Sequence, residues 1–199
     1  MIQKISQKIS YLWALNGIIP TGDSEIYEYG TQLVISTFIN TIIIIVISIA
    51  IGMPLYWLFF ILAFIPLRTT AGGYHAKTHF SCILSFCLEF LIFSLLVRFF
   101  SFFFSLLYFA TCSVLSLILI CIMSPVQASN KPLTTAEALQ NRRKSIFLAI
   151  LFTIPAVTAA AIPELKGIYI AAFYAGELSA ALSLVVSKIR NRTCKIKEV

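Results

Sequence analysis

Leu33-Val34-Ile35-Ser36-Thr37-Phe38-Ile39-Asn40-Thr41-Ile42-Ile43-Ile44-Ile45-Val46-Ile47-Ser48-Ile49-Ala50-Ile51 runs without a single charged side chain. About 20 apolar residues at 1.5 Å of rise each cover a hydrocarbon core about 30 Å thick, so this stretch reads as a transmembrane helix. Outward from it, apolar runs recur at Met53 to Leu67, Cys82 to Val97, Phe100 to Met123, Ser145 to Ile162 and Ile168 to Val186. The expected fold is all-α: a polytopic integral membrane protein with about six hydrophobic segments, of which four to six are true spans. Met53 to Leu67 and Cys82 to Val97 are short for straight spans and enter either as tilted crossings or as a re-entrant pair.

Composition agrees. Of 199 residues, 59% are hydrophobic and 12% charged, against about a quarter charged in soluble domains. Spanning segments consume most of the chain, so residues 1–199 are expected to form a single membrane domain. Residues 1–19 place Ile2, Ile5, Ile9 and Leu12 at helical spacing opposite Gln3, Lys4, Ser6, Gln7, Lys8 and Ser10. That is the pattern of an amphipathic helix at the bilayer interface rather than a cleaved signal peptide.

Charge then orients the chain. With six crossings, the side of the termini holds Lys4, Lys8, Arg68, Lys77, Lys131, Arg142, Arg143, Lys144, Lys188, Arg190, Arg192, Lys195 and Lys197; the other holds Arg98 and Lys166. Thirteen against two places both termini, residues 68–82, residues 124–144 and the basic tail 188–199 in the cytoplasm by the positive-inside rule, and the protein in the cell membrane as a multi-pass protein. A four-span arrangement keeps the same loops on the same sides. The net charge of +7 is distributed at segment ends, not as a basic face with interleaved aromatics, so the lipid bilayer and not nucleic acid is the expected partner. Five cysteines with Cys87, Cys112 and Cys121 inside apolar runs indicate packing rather than a disulfide framework.

The chemistry gathers at Arg68-Thr69-Thr70-Ala71-Gly72-Gly73-Tyr74-His75-Ala76-Lys77-Thr78-His79-Phe80-Ser81-Cys82. Both histidines stand here with a cysteine. A thiol attacks a carbonyl as thiolate, which needs a nearby base or positive potential. Thr78 or Ser81 is expected to cap a helix carrying Cys82 in its first turn, and Lys77 and Arg68 add positive charge. His79 lies three residues from Cys82 on one helix face; His75, seven away, reaches it if the chain folds back, for which Gly72-Gly73 supply backbone freedom. Spacing alone does not choose between them. A metal reading of His75, His79 and Cys82 lacks a fourth ligand, and Ala76 stands where a zinc-peptidase helix carries Glu, so neither a metal nor a cofactor is expected. Glu89 and Glu177 interrupt apolar runs, where a carboxylate faces a polar interior; Glu89 is expected to orient a histidine, pair with a base such as Arg98, or stay protonated.

Residues 124–144 read as an ordered loop with two prolines, then a short amphipathic helix ending at Arg142-Arg143-Lys144.

With Glu25-Ile26-Tyr27-Glu28-Tyr29-Gly30, Arg68 ahead of Gly72-Gly73-Tyr74-His75-Ala76, Cys82 seven residues beyond that histidine, Ser124-Pro125-Val126 and Asn130-Lys131-Pro132-Leu133, the chain resembles the accessory gene regulator protein B (AgrB) family over most of its length. These are the membrane cysteine endopeptidases (thiol proteases) of Gram-positive quorum sensing. The resemblance implies His75 and Cys82 as the catalytic pair; Arg68, Gly72, Gly73, Lys77, His79 and Glu89 are candidate supporting residues by their position around that pair. His79 has no counterpart in the family motif. It further implies an AgrD-type precursor peptide as substrate, whose charged C-terminal tail is removed through a thioester and whose remainder cyclises to a thiolactone or lactone autoinducing peptide. Asn130, Lys131 and Pro132 with Arg142, Arg143 and Lys144 are the expected substrate contacts, and a homodimer is compatible with the resemblance. The competing reading from another class is a peptide exporter or channel subunit, which would need Glu89 and Glu177 and not Cys82; a scaffold that only presents a peptide is a third.

Overall fold

The apolar run at Leu33 to Ile51 lies in a longer helix. In the computed structural model, which describes residues 2–73, 79–100, 106–126, 134–161 and 167–197, the helices are α1 (Ile2–Leu15), α2 (Ser24–Ala50), α3 (Tyr56–Ala71), α4 (His79–Phe99), α5 (Leu106–Met123), α6 (Thr135–Ala161) and α7 (Ile168–Lys197). A single 3₁₀ turn at Thr21–Asp23 precedes α2. The all-α membrane fold expected from the sequence is the one observed. Ser24–Ala50, Phe80–Phe99 and Ile168–Ile189 are long and apolar enough to cross a bilayer, while Tyr56–Ala71 and Leu107–Met123 are shorter apolar helices.

Several boundaries move. Arg68 to Ala71, expected in the loop 68–82, form the last turn of α3. The short amphipathic helix expected before Lys144 is no separate element: Thr135–Ala161 is continuous. The tail from residue 188 stays helical through Lys197. The common reason is that apolarity marks the bilayer, whereas a helix continues through polar residues as long as its backbone bonds are satisfied. The start of α6 is set by Thr134-Thr135-Ala136-Glu137. Thr134 N and Oγ1 each donate to Glu137 Oε2 at 2.9 Å, and Glu137 N donates to Thr134 Oγ1 at 3.3 Å, a reciprocal capping box.

The centre of the bundle is α7 with α3 on one side and α5 on another. Gly176 lies against Phe60 and Ser183 against Arg68, so α3 and α7 advance in parallel. Ser113 meets Glu177, and Ile120 shares a cluster with Ala180, Ala181 and Leu184, so α5 is parallel to α7 as well. Close approach depends on small residues: Ala172, Gly176 and Ala180 recur at four-residue spacing, and a methyl group at Gly176 would run into the Phe60 carbonyl oxygen. This small-residue face, not singled out from the sequence, serves a contact within the chain.

Two apolar clusters fill the bundle. One holds Tyr56, Phe60, Phe90, Phe109 and Tyr174; the other holds Leu67, Ala71, Ile120, Ala149 and Leu184 at the end where α3 stops. Helix α1 packs on α2 with Ser6 and Ser10 buried, leaving Ile5, Tyr11, Leu12 and Leu15 exposed, which fits an amphipathic helix with an apolar face for lipid. Ile2 and Ile9 are half-buried, so the expected apolar side is shared between neighbour and surface.

Candidate functional site

The site is built where α3 ends. Arg68 occupies its last turn, and its Nη1 donates to Ser183 Oγ at 2.8 Å and to the Gly72 carbonyl at 3.5 Å. Ser183 spends its own proton on the Ala180 carbonyl at 2.6 Å, which leaves its oxygen to accept from the guanidinium. The following glycines are dictated by this clasp. Gly73, at φ 140°, lies so close to the guanidinium that a Cβ would overlap Arg68 Nη1 and crowd Ser183 Oγ. Gly72, at φ 80°, lies against the Val126 carbonyl, and any side chain there would strike it. The Arg-x-x-x-Gly-Gly pattern is thus a folded unit in which the arginine fills the space that the glycines vacate.

Gly72 also joins the two loop motifs. It forms a parallel bridge with Val126, whose N–H donates to the Ala71 carbonyl at 2.9 Å. Ser124, Pro125 and Val126, with a cis bond between the first two, are thereby held against the end of α3. Ser145 Oγ donates to the Arg142 carbonyl at 2.9 Å, so Ser124 is the donor in the buried Ser124–Ser145 contact of 2.6 Å. Arg142 Nη2 donates to the Cys121 carbonyl at 3.3 Å, tying α6 to the end of α5.

Cys82 is the fourth residue of α4, half-buried, in its first turn; Thr78, one of the two caps expected for that helix, lies outside the described residues. Helix α4 begins at His79, so Ser81 lies inside it and is not its cap. The first backbone N–H groups of a helix lack intrahelical partners and carry its positive dipole end. Arg68 is within electrostatic reach of both Cys82 and Glu89. Glu89 lies two turns deeper on α4, its carboxyl beside the Ser179 hydroxyl of α7 without closing a bond of good geometry. Arg68 acts electrostatically on Glu89 from α3, whereas Arg98 sits in the last turn of α4, at its far end. Cys82 thus stands at the start of α4 with Arg68 among the charged groups that act on it.

Other expected residues divide. His75, Lys77, Asn130, Lys131 and Pro132 lie outside the described residues, and His79 starts α4. Arg142, Arg143 and Lys144 are exposed on the second and third turns of α6. Ser183 and Ser179 are additions that the sequence did not point out, because serines in an apolar helix carry no spacing signal. Glu177, fully buried, accepts from Ser113 Oγ at 3.4 Å and lies on the α5 side of α7, away from Cys82. Among the described residues no group of His, Cys, Asp and Glu could hold a metal ion, and Cys82, Cys87, Cys112 and Cys121 are free thiols.

Fold and site together define a polytopic helical membrane protein with a cysteine at a helix N-terminus beside a clasped arginine. The model of the family described as accessory gene regulator B matches residues 2–187, and the chain belongs to that family. The family processes the autoinducer precursor of agr quorum sensing, and its general partner is the AgrD precursor. No curated protein and no solved structure matches the chain.

Proposed function

We propose that the protein is a cysteine endopeptidase that cleaves an AgrD-type precursor at the end of its future ring and promotes ring closure. The observation that carries this reading is the placement of Cys82 in the first turn of α4 within the field of Arg68, itself fixed by Ser183 and the Gly72 carbonyl. His75 takes the Cys82 proton, and the thiolate attacks the scissile carbonyl. The tetrahedral oxyanion is stabilised by backbone N–H groups at the start of α4 and by Arg68. The tail departs as an amine protonated by the same imidazole, leaving a peptidyl thioester on Cys82. The precursor's own cysteine or serine then attacks that thioester, releasing a thiolactone or lactone and regenerating the thiol. Proximity favours this internal nucleophile over water.

Thirteen basic residues against two orient both termini and this site toward the cytoplasm. The exposed Arg143 and Lys144, with Arg142 beside them, meet the acidic tail of the precursor. Mass spectrometry of the cognate precursor, incubated with reconstituted protein, tests the reading. Wild type and His79→Ala release the tail, and Cys82→Ala and His75→Ala do not. Tail release by Cys82→Ala would overturn the cysteine mechanism.

A further inference from the structure

We infer that Ser145 of α6 is a positioning residue for the reaction: through Ser124 it sets Val126 against the end of α3 and so places Gly72, whose carbonyl accepts from Arg68. The inference rests on the endopeptidase reading for its catalytic consequence and on hydrogen bonds for its geometry.

Ser145 turns inward where its neighbours turn outward. Arg142, Arg143 and Lys144 are exposed, whereas Ser145 is fully buried and Ser124 nearly so. A buried hydroxyl needs partners, and this one has two. Its proton goes to the Arg142 carbonyl at 2.9 Å, and its oxygen accepts from Ser124 at 2.6 Å, at the short end for an O–H···O bond. Ser124 in turn closes the last turn of α5, its N–H donating to the Ile120 carbonyl at 2.9 Å. Two residues on, Val126 donates its N–H to the Ala71 carbonyl at 2.9 Å and bridges Gly72. Val126 and Ile146 both pack against the apolar cluster that contains Ala71 and Ala149. Contacts thus run from α6 through the end of α5 to the end of α3. The other tie between α5 and α6, from Arg142 Nη2 to the Cys121 carbonyl, is exposed and longer at 3.3 Å, so water competes for it. The buried serine pair has no such competitor.

Removing the Ser145 hydroxyl leaves the buried Ser124 donor without this acceptor, which is costly. The segment from Ser124 to Val126 gains by shifting toward water, and Val126 then slips from Ala71. The fit at Gly72 depends on the same contact, since a Cβ there would strike the Val126 carbonyl. Gly72 stands four residues after Arg68 and three before His75, so a displaced α3 end is passed along the chain to both. An interaction that sets geometry in this way acts on the chemical step and not on precursor affinity.

The experiment pairs cleavage kinetics with hydrogen exchange at Val126 in the full-length reconstituted protein, for Ser145→Ala, Ser124→Ala and the double variant. Each single variant is expected to lower kcat for the cognate precursor about tenfold with KM within about twofold of wild type, and the double variant should be no worse than either alone. Exchange of the peptide carrying the Val126 amide should quicken about tenfold. Ser116→Ala is the control: Ser116 is buried on α5 with no hydrogen-bond partner among the described residues, and its loss should leave kcat and Val126 exchange unchanged. Unchanged Val126 exchange, a kcat within about twofold of wild type, or additive losses in the double variant would overturn the inference. A thermal midpoint is measured beside each variant, and a lowered midpoint with kcat per folded molecule intact would make Ser145 structural only, which also overturns it. Where Ser145→Ala fails to fold, Ser124→Ala decides by the same signs. Exchange needs no precursor: should Cys82→Ala process the precursor, the endopeptidase reading falls, while Val126 exchange still decides whether Ser145 holds the end of α3.

Discussion

Arg68 Nη1 donates to Ser183 Oγ at 2.8 Å across 115 residues of sequence, joining the last turn of α3 to α7. This one bond holds the guanidinium at the end of α3, where Gly72 and Gly73 follow. Ser183→Ala removes the acceptor while leaving the small size that the α3–α7 contact needs. A hydrogen bond to a charged group contributes about 1.5–3 kcal/mol, with the lower end expected in a membrane interior. Precursor cleavage should fall about tenfold at unchanged protein level, and a rate within twofold of wild type would show that Arg68 is held without Ser183.

The glycines beside that bond should be intolerant for different reasons. Gly73→Ala pushes a methyl group into the guanidinium and Gly72→Ala pushes one into the Val126 carbonyl, both at positive φ. Each should lower the thermal midpoint in detergent and cut cleavage by at least about thirtyfold, from strain of about 1–3 kcal/mol with steric overlap added. Gly22→Ala, where nothing lies within 4 Å, is the control and should behave as wild type.

Much of the fold was legible because burial in lipid demands long uncharged helices, and the runs at Leu33 to Ile51 and Ile168 to Val186 announce themselves by composition. Cys82 near the start of a helix was expected from the sequence, although Ser81, one of the two caps expected there, lies inside that helix. The Arg68–Ser183 clasp was not, since a serine in an apolar helix says nothing about a partner 115 residues away. Glu89 was recognisable as costly in an apolar run, but the sequence left its role open between orienting a histidine, pairing with a base such as Arg98 and staying protonated, and the electrostatic influence of Arg68 from α3 was not foreseen. The Gly-Gly pair was read as freedom to turn; the structure adds that it is room for an arginine and a carbonyl.

The capping box of α6 gives a prediction remote from the site. Thr134→Ala removes the acceptor of the Glu137 N–H and one of the donors to its carboxylate. The cost should be about 1 kcal/mol of stability. Cleavage by folded protein should change less than threefold, measured at saturating precursor; a larger loss would mean that the start of α6 contributes to substrate binding beyond Arg142, Arg143 and Lys144.

Gly176 tests the packing on which everything else hangs. Its Cα sits against the Phe60 carbonyl oxygen, so even Gly176→Ala must part α3 from α7. Overpacking of this kind costs about 1–3 kcal/mol. The thermal midpoint should drop, and because Arg68 and Ser183 lie on the same pair of helices, cleavage should drop with it. Retained cleavage in a destabilised Gly176→Ala protein would show that the clasp holds independently of the helix contact.

Glu177 separates the enzyme from the transporter. Its carboxyl is fully buried, with Oε2 accepting from Ser113 at 3.4 Å and Oε1 making no hydrogen bond, and it stands among Tyr174, Cys112 and Ser113 rather than near Cys82. A carboxyl deep in a membrane protein is a functional group by default, and a peptide exporter would depend on it. An endopeptidase working at the α3–α4 end would not. Glu177→Gln keeps the shape and an oxygen to accept from Ser113, so the fold should be preserved within about 1 kcal/mol. Tail release should stay within about threefold of wild type while Cys82→Ala abolishes it. The reverse pattern, with cleavage surviving Cys82→Ala and peptide movement across the vesicle lost in Glu177→Gln, would move the function from acyl transfer at Cys82 to passage along α5 and α7.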